Sequence, residues 1–171
     1  MLTANDRDSI ARVPVFAALS PAAMALVGRL ARRLELDGPT TIFEEGAPAR
    51  EMVIVLEGEL EVRKRGRNGG EAVLAVLRPG DVAGEMSLID IQPRSAAVRS
   101  LGKAALVVLE HGDLATLYRE DPAAYTVLVL NIAREISRRL RRVDLLLADV
   151  LLDLQDVWTE ALAGVGGGKV A

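Results

Sequence analysis

The residues best suited to chemistry fall in one run, Arg78 to Val98, which reads RPGDVAGEMSLIDIQPRSAAV. Gly84 lets the backbone pass close to a ligand. A short helix beginning at Met86 would point free N–H groups at an anion. Arg94 carries a planar fork of donors that meets two phosphate oxygens at once. Glu85 is out of place in a purely anionic site, but a carboxylate beside a phosphate makes sense if it accepts a sugar hydroxyl. The competing reading is a buried Glu85–Arg94 ion pair that shapes the fold and binds nothing.

Composition narrows the chemistry further. The chain has 171 residues, half of them hydrophobic and 26% charged, which suits one globular domain with an appendage. With 21 Lys and Arg against 24 Asp and Glu the net charge is −3. That balance argues against a chain built to coat nucleic acid or an anionic membrane. There is no cysteine, so disulfides, thiolate metal sites and cysteine nucleophiles are ruled out. His111 is the single histidine; it makes no two-histidine metal site, and any Ser-His-Asp triad would have to use it. Five aromatics (Phe16, Phe43, Tyr118, Tyr125, Trp158) are too few for base-stacking platforms. The reading is a non-enzyme without metal or bound cofactor. The polar start, Met1 to Asp8, lacks the basic and apolar regions of a signal peptide. The most apolar stretch, Tyr125 to Ala133, is too short to span a bilayer. A cytoplasmic protein with no membrane contact is expected.

Three kinds of element must position the 78–98 run. Ser20-Pro21 opens a helix with a cap and a first-turn proline. Met24, Val27, Leu30, Ala31 and Leu34 then follow at one-face spacing, which carries the helix towards Gly38-Pro39. From Thr40 to Leu109 short β-prone runs take over: 52–56, 59–63, 72–77, 96–99 and 104–109. Arg67-Asn68-Gly69-Gly70 marks a hairpin among them. Closely spaced strands predict a mainly β (α+β) domain, a jelly-roll-like roll or double-stranded β-helix.

Asp121-Pro122 then starts a long helix with no Gly or Pro before Gly164. Thr126, Val129, Ala133, Ile136, Leu140, Val143, Leu147, Val150, Leu154, Val157 and Ala161 alternate spacings of three and four, a heptad seam. The alternative is a helix lying on its own roll. Parallel association with a second copy is expected, and Leu at one seam position with branched residues at the other leans towards states above the dimer. Gly164 to Lys169 fails as a phosphate loop, because no Ser or Thr follows the lysine and no strand precedes the glycines. The expected divisions are a roll with N-terminal helices over 1–120, a dimerisation helix over 121–163 and a flexible tail over 164–171.

The chain resembles the cyclic nucleotide-binding domain family, which includes bacterial catabolite activators, protein kinase regulatory subunits and nucleotide-gated channels. Gly84-Glu85-Met86-Ser87-Leu88 and Pro93-Arg94-Ser95-Ala96-Ala97-Val98 match its phosphate-binding cassette. Further marks are Val15 to Ser20, Glu45-Gly46, Leu56-Glu57-Gly58-Glu59-Leu60 and Leu77-Arg78-Pro79-Gly80-Asp81. The likeness runs from about Val13 to Val143. It implies a β-roll flanked by N-terminal helices and a long C-terminal helix, a homodimer with a tetramer as runner-up, and cyclic AMP or cyclic GMP as ligand. By the resemblance Arg94 would bind the cyclic phosphate, helped by Ser95, Ala96 and the amides around Met86 and Ser87. Glu85 would accept the ribose 2′-hydroxyl, and Gly84 would lie against the sugar.

In relatives the long helix closes over the base, and catabolite activators read the base there with Thr and Ser. Ser137 to Asp144 lacks that hydroxyl pair, so Arg139, or Arg138 or Arg142, would contact the purine instead, unless these arginines form only a solvated basic face. Catabolite activators also continue into a helix-turn-helix. Here Arg134 to Arg142 is followed by Asp144, Asp149, Asp153, Asp156 and Glu160, a charge dipole rather than a DNA arm. The expectation is a stand-alone sensor that signals through its last helix to an unknown downstream protein and binds no nucleic acid. The rival is a degenerate module of the same fold, serving structure or dimerisation without ligand.

Overall fold

The β-prone runs between residues 32 and 110 form eight strands among the described residues. The structure is a computed structural model that describes residues 2–90 and 92–165, with side-chain surroundings to residue 155. The strands are β1 (Arg32–Leu36), β2 (Thr41–Phe43), β3 (Glu51–Glu57), β4 (Leu60–Arg65), β5 (Glu71–Leu77), β6 (Val82–Ala83), β7 (Ala97–Ser100) and β8 (Ala104–Glu110). They pair antiparallel in two sheets, ordered β1-β8-β3-β6 and β2-β7-β4-β5. The expected roll is thus observed.

Alternation builds the core. Phe43, Leu60, Leu77 and Val98 from one sheet and Val53, Val55, Leu106 and Val108 from the other form one buried cluster. β3 and β8 instead read as nearly unbroken apolar runs, because both of their faces are covered. Helix α1 (Ala4–Ala11) packs on β3, and α4 (His111–Glu120) packs on β8. Leu106 is fully buried in the middle of this arrangement, so Leu106→Ala would cost about 2–5 kcal/mol. The 67–70 turn does join β4 to β5, with Gly69 at φ +80, a left-handed conformation that glycine adopts at no steric cost.

One expected boundary is corrected. Helix α2 (Pro21–Leu30) stops before Leu34, which lies on β1 opposite Leu106. The helical spacing runs on through Ala31 and Leu34, but Arg32-Arg33-Leu34-Glu35-Leu36 also alternates with period two. Pairing along β8 decides between the two patterns.

The chain divides into two compact units, Met1–Ala133 and Arg134–Ala171. Helix α5 (Pro122–Val165) contributes to both. Asp121 caps it, accepting from the Ala124 amide at 2.9 Å. In the first unit its buried stripe is Ala124, Leu128 and Ile132, at i, i+4 spacing and offset from the Thr126–Val129–Ala133 seam. Asn131 is buried with them and donates to the Val15 and Ala17 carbonyls at 3.2 and 2.7 Å. In the second unit Leu140, Val143, Leu147, Val150 and Leu154 are each half exposed or more. The side chains of Val157 and Ala161, and residues 166–171 of the expected tail, lie outside the described residues.

Candidate functional site: an arginine-centred anion cassette

A tight turn opens the cassette. Gly84 takes φ +79, and a Cβ there would collide with Arg94 Nη1 and come within 2.9 Å of both Phe43 Cε2 and the Glu51 carbonyl. Only glycine meets both demands. The short helix α3 (Met86–Ile89) follows, with Glu85 as its first flanking residue. Its turn is tightened by the Ser87 and Leu88 amides, which donate back to the Gly84 and Glu85 carbonyls at 3.3 and 3.1 Å. The amide of Ser87 is therefore engaged in the turn. Its hydroxyl is the group presented to Arg94.

Arg94 is the centre of the arrangement. It is 8% exposed, and its guanidinium carbon stands 3.4 Å from the centroid of the buried Phe43 ring. Nη1 donates to Ser87 Oγ at 3.0 Å, and Nη2 donates to the Glu51 carbonyl at 2.7 Å. The Ser87 hydroxyl passes the chain on to the Gly84 carbonyl at 2.5 Å. Burial pulls the pKa of Arg94 below the ordinary arginine value, while the carboxylates of Glu51 and Glu85 push it back up. The side chain stays cationic, since guanidinium is not deprotonated in proteins. The plane of the fork is held by a ring on one side and by two acceptors at its edge.

The backbone of Arg94 is gripped as firmly. The loop between β2 and β3 exchanges two hydrogen bonds with it: Gly46 N–H to the Arg94 carbonyl and Arg94 N–H to the Ala47 carbonyl, both at 2.9 Å. Glu45, in the same loop, accepts from Lys64 Nζ at 2.7 Å and from the Arg65 amide at 2.9 Å. The Lys64 ammonium and the Arg65 amide hold its carboxyl below the usual carboxylate range. Lys64 also donates to the Ser95 carbonyl at 2.5 Å.

The structure thus places Gly84, Glu85, Ser87 and Arg94 together, with Glu85, Ser87 and Arg94 all buried. Met86 is half exposed, Ser95 is exposed and Ala96 is intermediate, along the same segment. Arg139 belongs to the second unit, where its guanidinium meets Glu135 at 3.3 Å, one turn back. The cluster in the first unit is built without it. Sequence reasoning missed Phe43, Glu51, Glu45 and Lys64. Glu45-Gly46 stood out as a mark of the resemblance. The other three act through a ring face, a main-chain carbonyl and a cross-strand reach, none of which a linear motif displays. Two clefts border the cassette. One of about 310 Å³ includes Ser87, Arg50 and His111, and one of about 270 Å³ includes Glu45, Gly46 and Arg63. Among the described residues no group of His, Asp or Glu is arranged to hold a metal ion.

A buried guanidinium edged by a glycine turn, a serine hydroxyl and a carboxylate has the donors to meet an anion and an acceptor to meet a hydroxyl. Comparison with known proteins agrees. Residues 33–121, more than half of the chain, match the model of the cyclic nucleotide-binding domain, and the chain belongs to that family. It is 27% identical over 142 residues to a CRP-like cAMP-activated global transcriptional regulator of Mycobacterium tuberculosis, covering 83% of this chain and 62% of that protein. It is 33% identical over 133 residues to the cyclic AMP receptor protein of Thermus thermophilus, covering 77% of this chain and 59% of the receptor. The chain thus spans about three fifths of either relative. Among solved structures, the N-terminal domain of a transcriptional regulator from Streptomyces coelicolor A3(2) superposes with a TM-score of 0.70 at 32% identity, covering 80% of this chain and 95% of that domain. No described helix is long and apolar enough to cross a membrane.

Proposed function

We propose that this chain is a cyclic nucleotide-responsive regulatory module, with cyclic AMP or cyclic GMP as its ligand and no catalysis of its own. The observation that carries the reading is Arg94: a buried guanidinium held flat on Phe43 inside the family's cassette. Two of its five N–H groups are engaged among the described residues, at Ser87 and Glu51. The rest of the fork is available to a phosphate. Glu85, Met86, Ser87, Ser95 and Ala96 complete the phosphate and ribose end, with Glu85 taking the 2′-hydroxyl. Arg139 is proposed for the purine.

The second unit supplies the output. Its apolar seam pairs with a second copy of the chain, and ligand binding repositions that helix against a downstream protein. Two of the relatives named above are a cAMP-activated transcriptional regulator and a cyclic AMP receptor protein. A parallel dimer is the proposed assembly. A cytoplasmic setting suits both the ligand and the output.

A second reading has one observation in its favour: Arg94 already has acceptors within its own chain, so the cassette is stable without ligand. Calorimetric titration with cyclic AMP and cyclic GMP separates the two. Saturable binding of either nucleotide with one site per chain is the expected result. Absence of heat and of any thermal shift with both nucleotides would establish the ligand-free structural module.

A further inference from the structure

Strand β4 carries a charged residue on its core-facing side. Leu60 and Val62 pack into the core between the sheets, and Lys64 is the next residue of the same parity. Its side chain is 45% exposed, and its ammonium reaches the edge of the cassette. There it bonds the Ser95 carbonyl at 2.5 Å and Glu45 Oε1 at 2.7 Å. Glu45 is in turn fixed by the Arg65 amide at 2.9 Å. The neighbouring residues Gly46 and Ala47 hold the Arg94 main chain through the pair of 2.9 Å bonds. One lysine thus joins three separate segments: β4, the β2–β3 loop and the Arg94-Ser95 step.

We propose that Lys64 is a positioning residue of the anion end, tying the Ser95 carbonyl to the Glu45 carboxylate so that Arg94, Ser95 and Ala96 present their donors at a fixed height. The inference rests on the cassette's being a ligand site. A cation on the Ser95 carbonyl also polarises the Ser95–Ala96 peptide, which strengthens the Ala96 N–H as a donor. The tether is economical in conformational terms. Ser95 is exposed and no regular hydrogen bond of a sheet includes it, since β7 begins at Ala97. Without the ammonium, Arg94 keeps its main-chain bonds to Gly46 and Ala47 and its side-chain bonds to Ser87 and Glu51, while the Ser95 carbonyl loses the Lys64 bond.

The test uses the full chain with Lys64→Met, Lys64→Arg, Glu45→Gln and the double variant Lys64→Met/Glu45→Gln. Hydrogen exchange of the ligand-free proteins is read first, then affinity for cyclic AMP and cyclic GMP by calorimetry. Lys64→Met is expected to speed exchange at the Gly46 and Arg94 amides and to leave β3 and β8 protected. It should weaken nucleotide binding about two- to ten-fold, the equivalent of one typical net hydrogen bond. Lys64→Arg should recover most of that loss, and the double variant should cost no more than the larger single change. Unchanged exchange at 46 and 94, or exchange that rises throughout β3 and β8, overturns the proposal. Local loosening with unaltered affinity overturns it as well. If the parent binds neither nucleotide, the ligand reading itself fails and Lys64 is a structural tether only, whatever the exchange shows.

Discussion

The cassette at 84–96 and the helix over 134–155 solve opposite problems. In the cassette three polar groups are buried, Glu85, Ser87 and Arg94, beside the apolar Leu88. A buried charge needs partners within reach, and here the ring of Phe43, the Ser87 hydroxyl and the Glu51 carbonyl give Arg94 a single orientation. In the second unit apolar groups are exposed, Leu140 at 60% and Leu147 at 55% among them. An apolar stripe has no directional partner and is satisfied by any complementary surface that excludes water. The first region is complete within one chain. The second, on the proposed reading, is completed by a second copy, the partner that a heptad seam fits best.

Four measurements break or sharpen that contrast. The largest effect is expected at Leu147→Asp, which places one carboxylate from each copy in the same buried layer. Unpaired buried charges cost about 3–5 kcal/mol apiece, so light scattering should show the parent as a dimer at micromolar concentration and the variant as a monomer. A parent already monomeric there would end the seam-as-interface reading. Nucleotide binding by the cassette should survive in the variant, because the polar region draws on its own chain.

Next come the two charged cassette residues. Arg94→Leu removes the group that pairs with a phosphate and should cost roughly 2–5 kcal/mol, which is about thirty- to several-thousand-fold in affinity. Glu85→Ala loses hydrogen bonding to a neutral hydroxyl and should cost roughly 1–3 kcal/mol. Calorimetry on both, with folding checked by circular dichroism, tests the order. Equal affinity for Arg94→Leu and the parent would return the cassette to a purely structural role.

Phe43→Leu is expected to be milder. It keeps an apolar side chain in the core but removes the face on which the guanidinium lies, about 0.5–2 kcal/mol for a cation over an aromatic ring. Affinity should fall by a factor well below that for Arg94→Leu. A loss as large would mean that the ring, rather than the guanidinium, governs binding.

The smallest effect lies outside both regions. Asp6 is a buried residue in the first turn of α1. Desolvation raises its pKa, but bonds from the Thr3 amide and hydroxyl and the charge of Arg33 together outweigh that and lower it. Because the folded value lies below the unfolded one of about 3.9, this stabilisation is fully present above that pH. It is lost as pH falls through the folded value. Asp6→Asn should therefore flatten the acid limb of a melting-temperature profile below about pH 4 and leave nucleotide affinity unchanged. An unaltered acid limb would remove Asp6 from the account of acid stability.

Much was legible in the linear chain because it rests on local rules. The short apolar runs 52–56 and 104–109, the Asn68-Gly69 turn and the Asp121-Pro122 cap each depend on residues a few positions apart. The Gly84-Glu85 and Arg94-Ser95 pairs mark the cassette for the same reason, and the structure brings Gly84, Glu85, Ser87 and Arg94 together. Where two local rules agreed on different answers, as for Leu34, only pairing with β8 chose between helix and strand. Likewise the α5 pattern holds both a seam and the Ala124–Leu128–Ile132 stripe, and it is burial against the first unit that selects the stripe.

The amino-acid order by itself determined which side chains carry charge, which backbone positions need glycine and where apolar faces repeat, since these follow from residue identity and spacing. Only the tertiary structure decided that Phe43 would lie under Arg94, that the Glu51 carbonyl would accept from it and that Lys64 would reach Ser95. Those residues stand 51, 43 and 31 positions from their partners. Contacts over such separations are set by how two sheets stack and where a loop crosses between them, which no local spacing encodes.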